Sequence, residues 1–379
     1  MTNRPFDNII LTPADIDLSF SPMRDLHEET YVLGAFNPGM SRLPNGNIIL
    51  MVRIAEALKN PIVGNEVKAL RWDENRGFTI DKYPIDEVDI SDPRHLLLKK
   101  YLPMEVLALT SLSWILPVEL NAEGTQIKNI HYDKIISPKN SSQEYGIEDA
   151  RISLIDGKYF MTVCTVSSER HATTLYSSED GLNYRCEGII LDHQNKDMLL
   201  FEGCIEGKYY ALTRPLGMLY FATNPKSNIA PGPGINMAES LDLLHWKPCD
   251  KPFIRQINTG SEMMKLGGGA QPIKTEQGWL VLFHGVEKNK DIGIYRTYWA
   301  LLNSKDPLQI IHLELNKPLL ESKPSLTAHL KENIYINDVV FTTGIVVSDD
   351  KYIVASGELD LCVRITHIPK TEFHLSNQH

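Results

Sequence analysis

A polar turn that opens a short apolar strand recurs five times along this chain. It is seen at Asn45-Gly46 before Ile48-Ile49-Leu50, at Asp156-Gly157 before Tyr159-Phe160-Met161 and at Glu206-Gly207 before Tyr209-Tyr210. It returns at Gln277-Gly278 before Trp279-Leu280-Val281, and at Asp349-Asp350 before Tyr352-Ile353-Val354. Turn residues followed by aromatic and β-branched residues are the local signature of hairpin strands. Three of the strands are followed by another and then by a Ser/Asp or Asn/Asp closing turn, at Ser178-Glu179-Asp180, Ser240-Leu241-Asp242 and Asn303-Ser304-Lys305-Asp306. Repetition at tens of residues marks a propeller or a solenoid, and the uneven spacing here fits blades with loops of different length. The expected fold is therefore all-β, a five-bladed β-propeller forming one domain over residues 1–379. Helical signals are sparse; Ser91 to Tyr101 reads as a short helix capped by Ser91 or as an inserted loop.

Composition narrows the function. The chain has 379 residues, 42% of them hydrophobic, enough for a sizeable core. Lys plus Arg is 38 and Asp plus Glu is 48, a net charge of −10, which argues against nucleic acid as a partner because phosphate backbones call for clustered cations. No run of 18 apolar residues is present, so no membrane span is expected, and the N-terminus does not read as a secretory signal. Five cysteines without a C-x-x-C pair predict free thiols and a cytoplasmic protein, in which the Asn140-Ser141-Ser142 sequon carries no meaning.

Several chemistries lack their motifs. There is no G-x-S-x-G elbow, and Gly267-Gly268-Gly269 runs into Ala270-Gln271-Pro272 rather than the Gly-Lys-Ser/Thr of a phosphate loop. His27-Glu28-Glu29 lacks the second histidine of a zinc protease helix, and no metal site is expected. What remains is polar. Glu148, Asp149 and Arg151 sit together at the start of an apolar strand, where burying two carboxylates is costly without purpose or pairing. Arg53, Lys196, Arg214 and His284 lie near the ends of repeat strands, where a propeller would gather them at its axis. Together they are suited to hold a phosphate-like anion by charge-assisted hydrogen bonds.

These segments resemble glycoside hydrolase family 130, the five-bladed propellers that act on β-mannosides, mostly by phosphorolysis. The matching pieces run in family order from Phe36-Asn37-Pro38-Gly39 through Glu148-Asp149-Ala150-Arg151, Asn195-Lys196-Asp197 and Thr213-Arg214-Pro215. They continue through Lys265-Leu266-Gly267-Gly268-Gly269 and Phe283-His284-Gly285-Val286 to Gly357-Glu358-Leu359-Asp360. The resemblance implies that Asp149 is the general acid, its proton passing through a mannose hydroxyl to the glycosidic oxygen. It implies that Asn37, Asp197 and Asp360, with Glu148 and Arg151 beside them, bind the sugar. Arg53, Lys196, Arg214 and His284 would bind phosphate, the co-substrate, with no cofactor. The products would be α-mannose 1-phosphate and a shortened saccharide.

Two departures stand out. Ala150 replaces the family's usual proline, and Phe201-Glu202-Gly203-Cys204-Ile205 stands where phosphorylases commonly read Phe-Pro-Glu-Lys-Ile. Some family members are hydrolases that activate water with a carboxylate, and Glu202 or Glu262 would supply it here. Tyr145, Tyr295, Tyr298 and Trp299 are the candidates for stacking on a sugar face. The long insertion between Trp72 and Tyr132 is the place for aglycone specificity, or for a subunit contact in a homo-oligomer.

Overall fold

A computed structural model describes residues 4–373 other than 93, 220, 222–223, 225, 228, 256–262 and 288–292. Among the described residues the chain is all-β, with short 3-10 turns and no α-helix. No helix is long and apolar enough to cross a membrane.

Apart from two small three-stranded sheets inserted between Leu58 and Ser111, the strands fall into five antiparallel units. The first comprises Thr30–Arg42, Ile48–Leu58, Ser111–Leu120 and Ile127–Ile130. The second comprises Gly146–Ile155, Lys158–Val166, His171–Ser178 and Arg185–Leu191, and a single parallel bridge from Ser113 to Gly146 joins the two into one sheet. The third holds Asn195–Leu200, Tyr209–Pro215, Ile235–Ser240 and Lys247–Ile254. In the fourth, Met263–Gly268 and Ile273–Thr275 both pair with Gly278–Glu287, followed by Ile294–Leu302 and Ile310–Glu314. The fifth holds Val340–Val347, Lys351–Glu358 and Cys362–Pro369, to which the N-terminal strand Asp7–Leu11 adds itself.

Four of the predicted polar turns join the first and second strands of a unit, and Gln277-Gly278 follows the short strand Ile273–Thr275, so the repeat begins before the turn. Asp156-Gly157 and Glu206-Gly207 take positive φ at both positions, the geometry of a tight hairpin turn that follows strand twist. The closing turns recur in atomic detail. Ser178 Oγ accepts from Gly181 N at 2.9 Å and Ser240 Oγ from Leu243 N at 3.0 Å, while Asp180 and Asp242 cap the two amides that follow.

The first strands of the units pack against one another: Thr30–Arg42 against Gly146–Ile155 and Val340–Val347, and Asn195–Leu200 against Gly146–Ile155 and Met263–Gly268. Gln271 shows the convergence, its Nε2 donating to Met40 O and Ile345 O from two other units. Apolar residues fill the space between sheets, with Trp114, Trp279, Phe201 and Phe283 fully buried. Ser91 to Tyr101 is not a helix. His95–Leu98 forms a strand and Lys99–Tyr101 one 3-10 turn, because Leu96 and Leu98 alternate inward to a small core of the insertion.

Candidate active site

Three consecutive first strands carry the same irregularity. The register slips after Phe36, after Glu148 and after Lys196, and the residues at the bulges, Asn37, Asp149 and Asp197, have φ of +47°, +51° and +55°. Asn and Asp tolerate this left-handed backbone better than other side-chain-bearing residues. A bulge bends the strand and re-aims one side chain, so the repeat turns three polar groups toward a common point.

That point is a cavity of about 830 Å³, lined by Asn37, Arg53, Glu148, Asp149, Lys196 and Asp197. Arg214 of the third unit, His284 and Tyr295 of the fourth and Asp360 of the fifth line it as well. Asp149 Oδ1 accepts from Asn37 Nδ2 at 3.0 Å and from Arg53 Nη1 at 3.1 Å. Glu148 bridges two cations, Arg53 Nη2 at 2.9 Å and Lys196 Nζ at 3.0 Å. Burial opposes its charge, but Arg53 and Lys196 outweigh that and hold its carboxyl down at about 2. Asp197 is gripped by Arg151 Nη2 at 3.1 Å and Arg214 Nε at 2.5 Å. Against its burial, these two guanidiniums keep its pKa well below the usual carboxylate range.

The expected four-cation wall is thus divided. Arg53 and Lys196 pair with Glu148, and Arg214 pairs with Asp197. His284 is not a cation: burial, with Arg214 and Lys265 beside it, lowers its pKa to about 3 despite Asp197. It presents a neutral imidazole whose buried Nδ1 has no partner among the described residues. Gly267 is required here, because a Cβ on it would lie 2.4 Å from His284 Cε1 and 2.7 Å from Arg214 Cδ.

Other expected residues fall elsewhere. Arg151 does not line the cavity. It is buried beneath it, donating to Asp149 O at 2.7 Å, Gly269 O at 3.1 Å and Gly268 O at 3.4 Å, and so ties three units together rather than touching a ligand. Asp197 reaches the cavity with both oxygens already engaged, so it orients Arg214 more than it reads a sugar. Glu202 lies five residues beyond Asp197, past Leu200, where that strand ends. It sits beside Leu154 and Gln271, where burial raises its carboxyl to about 7, and does not line the cavity. Glu262 lies outside the described residues. Tyr298 and Trp299 are buried in apolar clusters, whereas Tyr145 and Tyr295 line the cavity.

The cavity also contains residues that the sequence reading did not single out for binding. Lys265 lines it with its Nζ 5.1 Å from the centre of the Tyr295 ring, and no carboxylate pairs with it among the described residues. Its signal was available: two residues before Gly267 on a strand, it shares that residue's face. Tyr335, whose OH donates to Asp360 O at 3.1 Å, and Arg94 of the insertion also line it.

A family model described as beta-1,4-mannooligosaccharide phosphorylase matches residues 111–374. The chain belongs to glycoside hydrolase family 130. Within family 130 it is 31% identical over 349 residues to Beta-1,2-mannobiose phosphorylase of Listeria innocua, covering 91% of this chain and 89% of that one. It is 32% identical over 243 residues to 1,2-beta-oligomannan phosphorylase of a Thermoanaerobacter species, covering 63% of this chain and 74% of the relative. The solved complex of the Listeria innocua enzyme with beta-1,2-mannobiose superposes with a TM-score of 0.79 at 29% identity, covering 96% of this chain and 95% of that chain.

Proposed function

We propose that this family 130 member is an inverting phosphorylase that cleaves β-1,2-linked mannosides with inorganic phosphate as co-substrate and no cofactor. One observation carries the reading: Asp149 opens into the same cavity as Arg214, His284 and Lys265, the last with no carboxylate partner among the described residues. A proton donor and an anion site thus face one space. The five units, their converging first strands and the N-terminal strand seated on the last unit support a five-bladed propeller in a single domain. Five free cysteines support a cytoplasmic setting.

In this mechanism phosphate sits against Lys265, Arg214, His284 and Tyr295, and the reacting mannose against Asn37 and Asp360. A phosphate oxygen forms a bond to the anomeric carbon from the face opposite the aglycone. The glycosidic C–O bond breaks, and its electron pair goes to the leaving oxygen. That oxygen gains a proton which starts on Asp149 and is relayed by a mannose hydroxyl. The donors Asn37 and Arg53 both act on Oδ1, leaving Oδ2 to carry the proton and stabilising the carboxylate left behind. Phosphate is itself the nucleophile, so catalysis rests on positioning and on charge stabilisation rather than on a base. An inverting hydrolase would need a second carboxyl about 6.5–9.5 Å from the acid to hold water, and the absence of Glu202 from the cavity lining favours phosphorolysis.

The test is incubation with β-1,2-mannobiose, with and without phosphate. Mannose 1-phosphate formed only with phosphate is expected. Free mannose released at equal rate without phosphate would overturn the assignment in favour of hydrolysis.

A further inference from the structure

The first unit is interrupted by residues 59–110, which lie outside the segment matched by the family model. They form two three-stranded sheets around Val67, Ala69, Leu96 and Ala108, a small core of their own. Arg71 anchors this platform to the approach of the second unit, donating to Asp81 at 2.7 Å and to Glu144 at 3.2 Å. One side of the platform, including Arg94, Leu98, Tyr101 and Leu107, lines the cavity that contains Asp149.

Arg94 is held on one edge by Asp92, Nε to Oδ1 at 2.9 Å and Nη2 to Oδ2 at 2.6 Å, while its backbone N donates to Oδ1 at 2.8 Å. Nη1 has no protein acceptor among the described residues. The grip fixes where Nη1 points and cancels the net charge of the pair. The guanidinium also lies within electrostatic reach of Tyr295 and Asp360, which brings the insertion up to the pocket of the reacting sugar. A charge-compensated guanidinium is a directional donor suited to a neutral hydroxyl, whereas Lys265, which no carboxylate compensates among the described residues, is suited to an anion. Leu98, Leu107 and the Tyr101 ring offer apolar surface to the carbon face of a sugar.

Resting on the phosphorylase reading above, we propose that Arg94 is a specificity-determining residue that donates from Nη1 to a hydroxyl of the aglycone sugar, with Asp92 as the residue that positions it. The insertion is thereby the wall that selects the leaving saccharide.

The experiment measures KM and kcat for β-1,2-mannobiose and for phosphate in the wild type, Arg94→Ala, Arg94→Lys and Asp92→Asn, with calorimetric affinity for α-mannose 1-phosphate. That product fills the mannose and phosphate sites and leaves the aglycone site empty. Arg94→Ala is expected to lower kcat/KM for mannobiose by about 10- to 100-fold, the scale of one hydrogen bond to a charged donor. The phosphate KM and the mannose 1-phosphate affinity stay near wild type. Asp92→Asn gives a smaller loss of the same kind, and Arg94→Lys recovers part of it. Unchanged mannobiose kinetics in Arg94→Ala, or an equal loss of mannose 1-phosphate affinity, overturns the proposal. A wild-type enzyme inert toward mannobiose and phosphate overturns the phosphorylase reading itself, and this inference with it. If Arg94→Ala fails to fold, the same split in Asp92→Asn decides.

Discussion

Arg151 and Asp197 form an ion pair, Nη2 to Oδ1 at 3.1 Å, with each side chain only 2% exposed. The pair reaches from beneath the cavity to its lining and connects the backbone that carries Asp149 to the carboxylate that orients Arg214. Removing one partner of a buried pair strands the other charge, a loss of about 3–5 kcal/mol. Arg151→Ala is therefore expected to lower the denaturation midpoint sharply, and Arg151→Lys to rescue it poorly, since an ammonium lacks the fork that serves several acceptors. Chemical denaturation followed by fluorescence measures this; an unchanged midpoint would free Arg151 from its structural role.

Asp149→Asn keeps the size of the side chain and removes the proton. Phosphorolysis should fall by about 10²–10⁴-fold, the usual worth of a general acid. Affinity for α-mannose 1-phosphate, measured by calorimetry, should persist. Near-parental turnover would remove Asp149 from the mechanism.

Lys265→Met tests the anion wall. The KM for phosphate should rise by about 10- to 100-fold, as expected for losing one charge-assisted contact. The KM for mannobiose should stay close to its parent value. Steady-state kinetics with each substrate varied in turn separates the two, and a mannobiose effect alone would place Lys265 with the sugar.

Asp360 sets a pH dependence. Burial, aided by the charge of Asp149 and opposed by Arg53, raises its carboxyl to about 6. Between about pH 4 and 6 the folded protein therefore holds a proton that the unfolded chain releases, and stability falls as pH rises through that window. Asp360→Asn should melt above the wild type at pH 8, with the difference shrinking toward pH 4. As a carboxylate accepting from sugar hydroxyls, Asp360 should also place an acid limb near pH 6 on the kcat/KM profile, a limb absent in the variant. Parallel melting curves across that range would contradict the burial argument.

Glu202→Gln should retain phosphorolysis at close to the parent rate and gain stability above pH 7, where the buried carboxylate is otherwise ionised. A dead variant would mean that Glu202 acts in turnover and would reopen hydrolysis.

The hairpin turns were legible because their chemistry is local: Asp156-Gly157 dictates a tight turn whatever surrounds it. Asp149, Arg53, Arg214 and His284 were legible as a group because strand ends converge when the sheets do. Depth along a strand was not. Arg151, two residues past Asp149, passes below the cavity because the intervening bulge shifts the register, and Glu202 falls past the end of its strand at Leu200, outside the cavity lining. The protonation of His284 depends on burial among side chains from three units, which no linear spacing encodes. Arg94 owes its position to the strand register of the insertion, where the sequence suggested a helix or a loop.

The strand Asp7–Leu11 pairs with Cys362–Pro369, Asp7 standing opposite Thr366, so the fifth sheet joins segments remote from each other in the chain. The hairpin bearing Asp360 is anchored in that same sheet, so one wall of the reaction chamber rests on this long-range seam. Loosening the seam would then disturb Asp360 at a distance, and turnover would report whether the seam has closed.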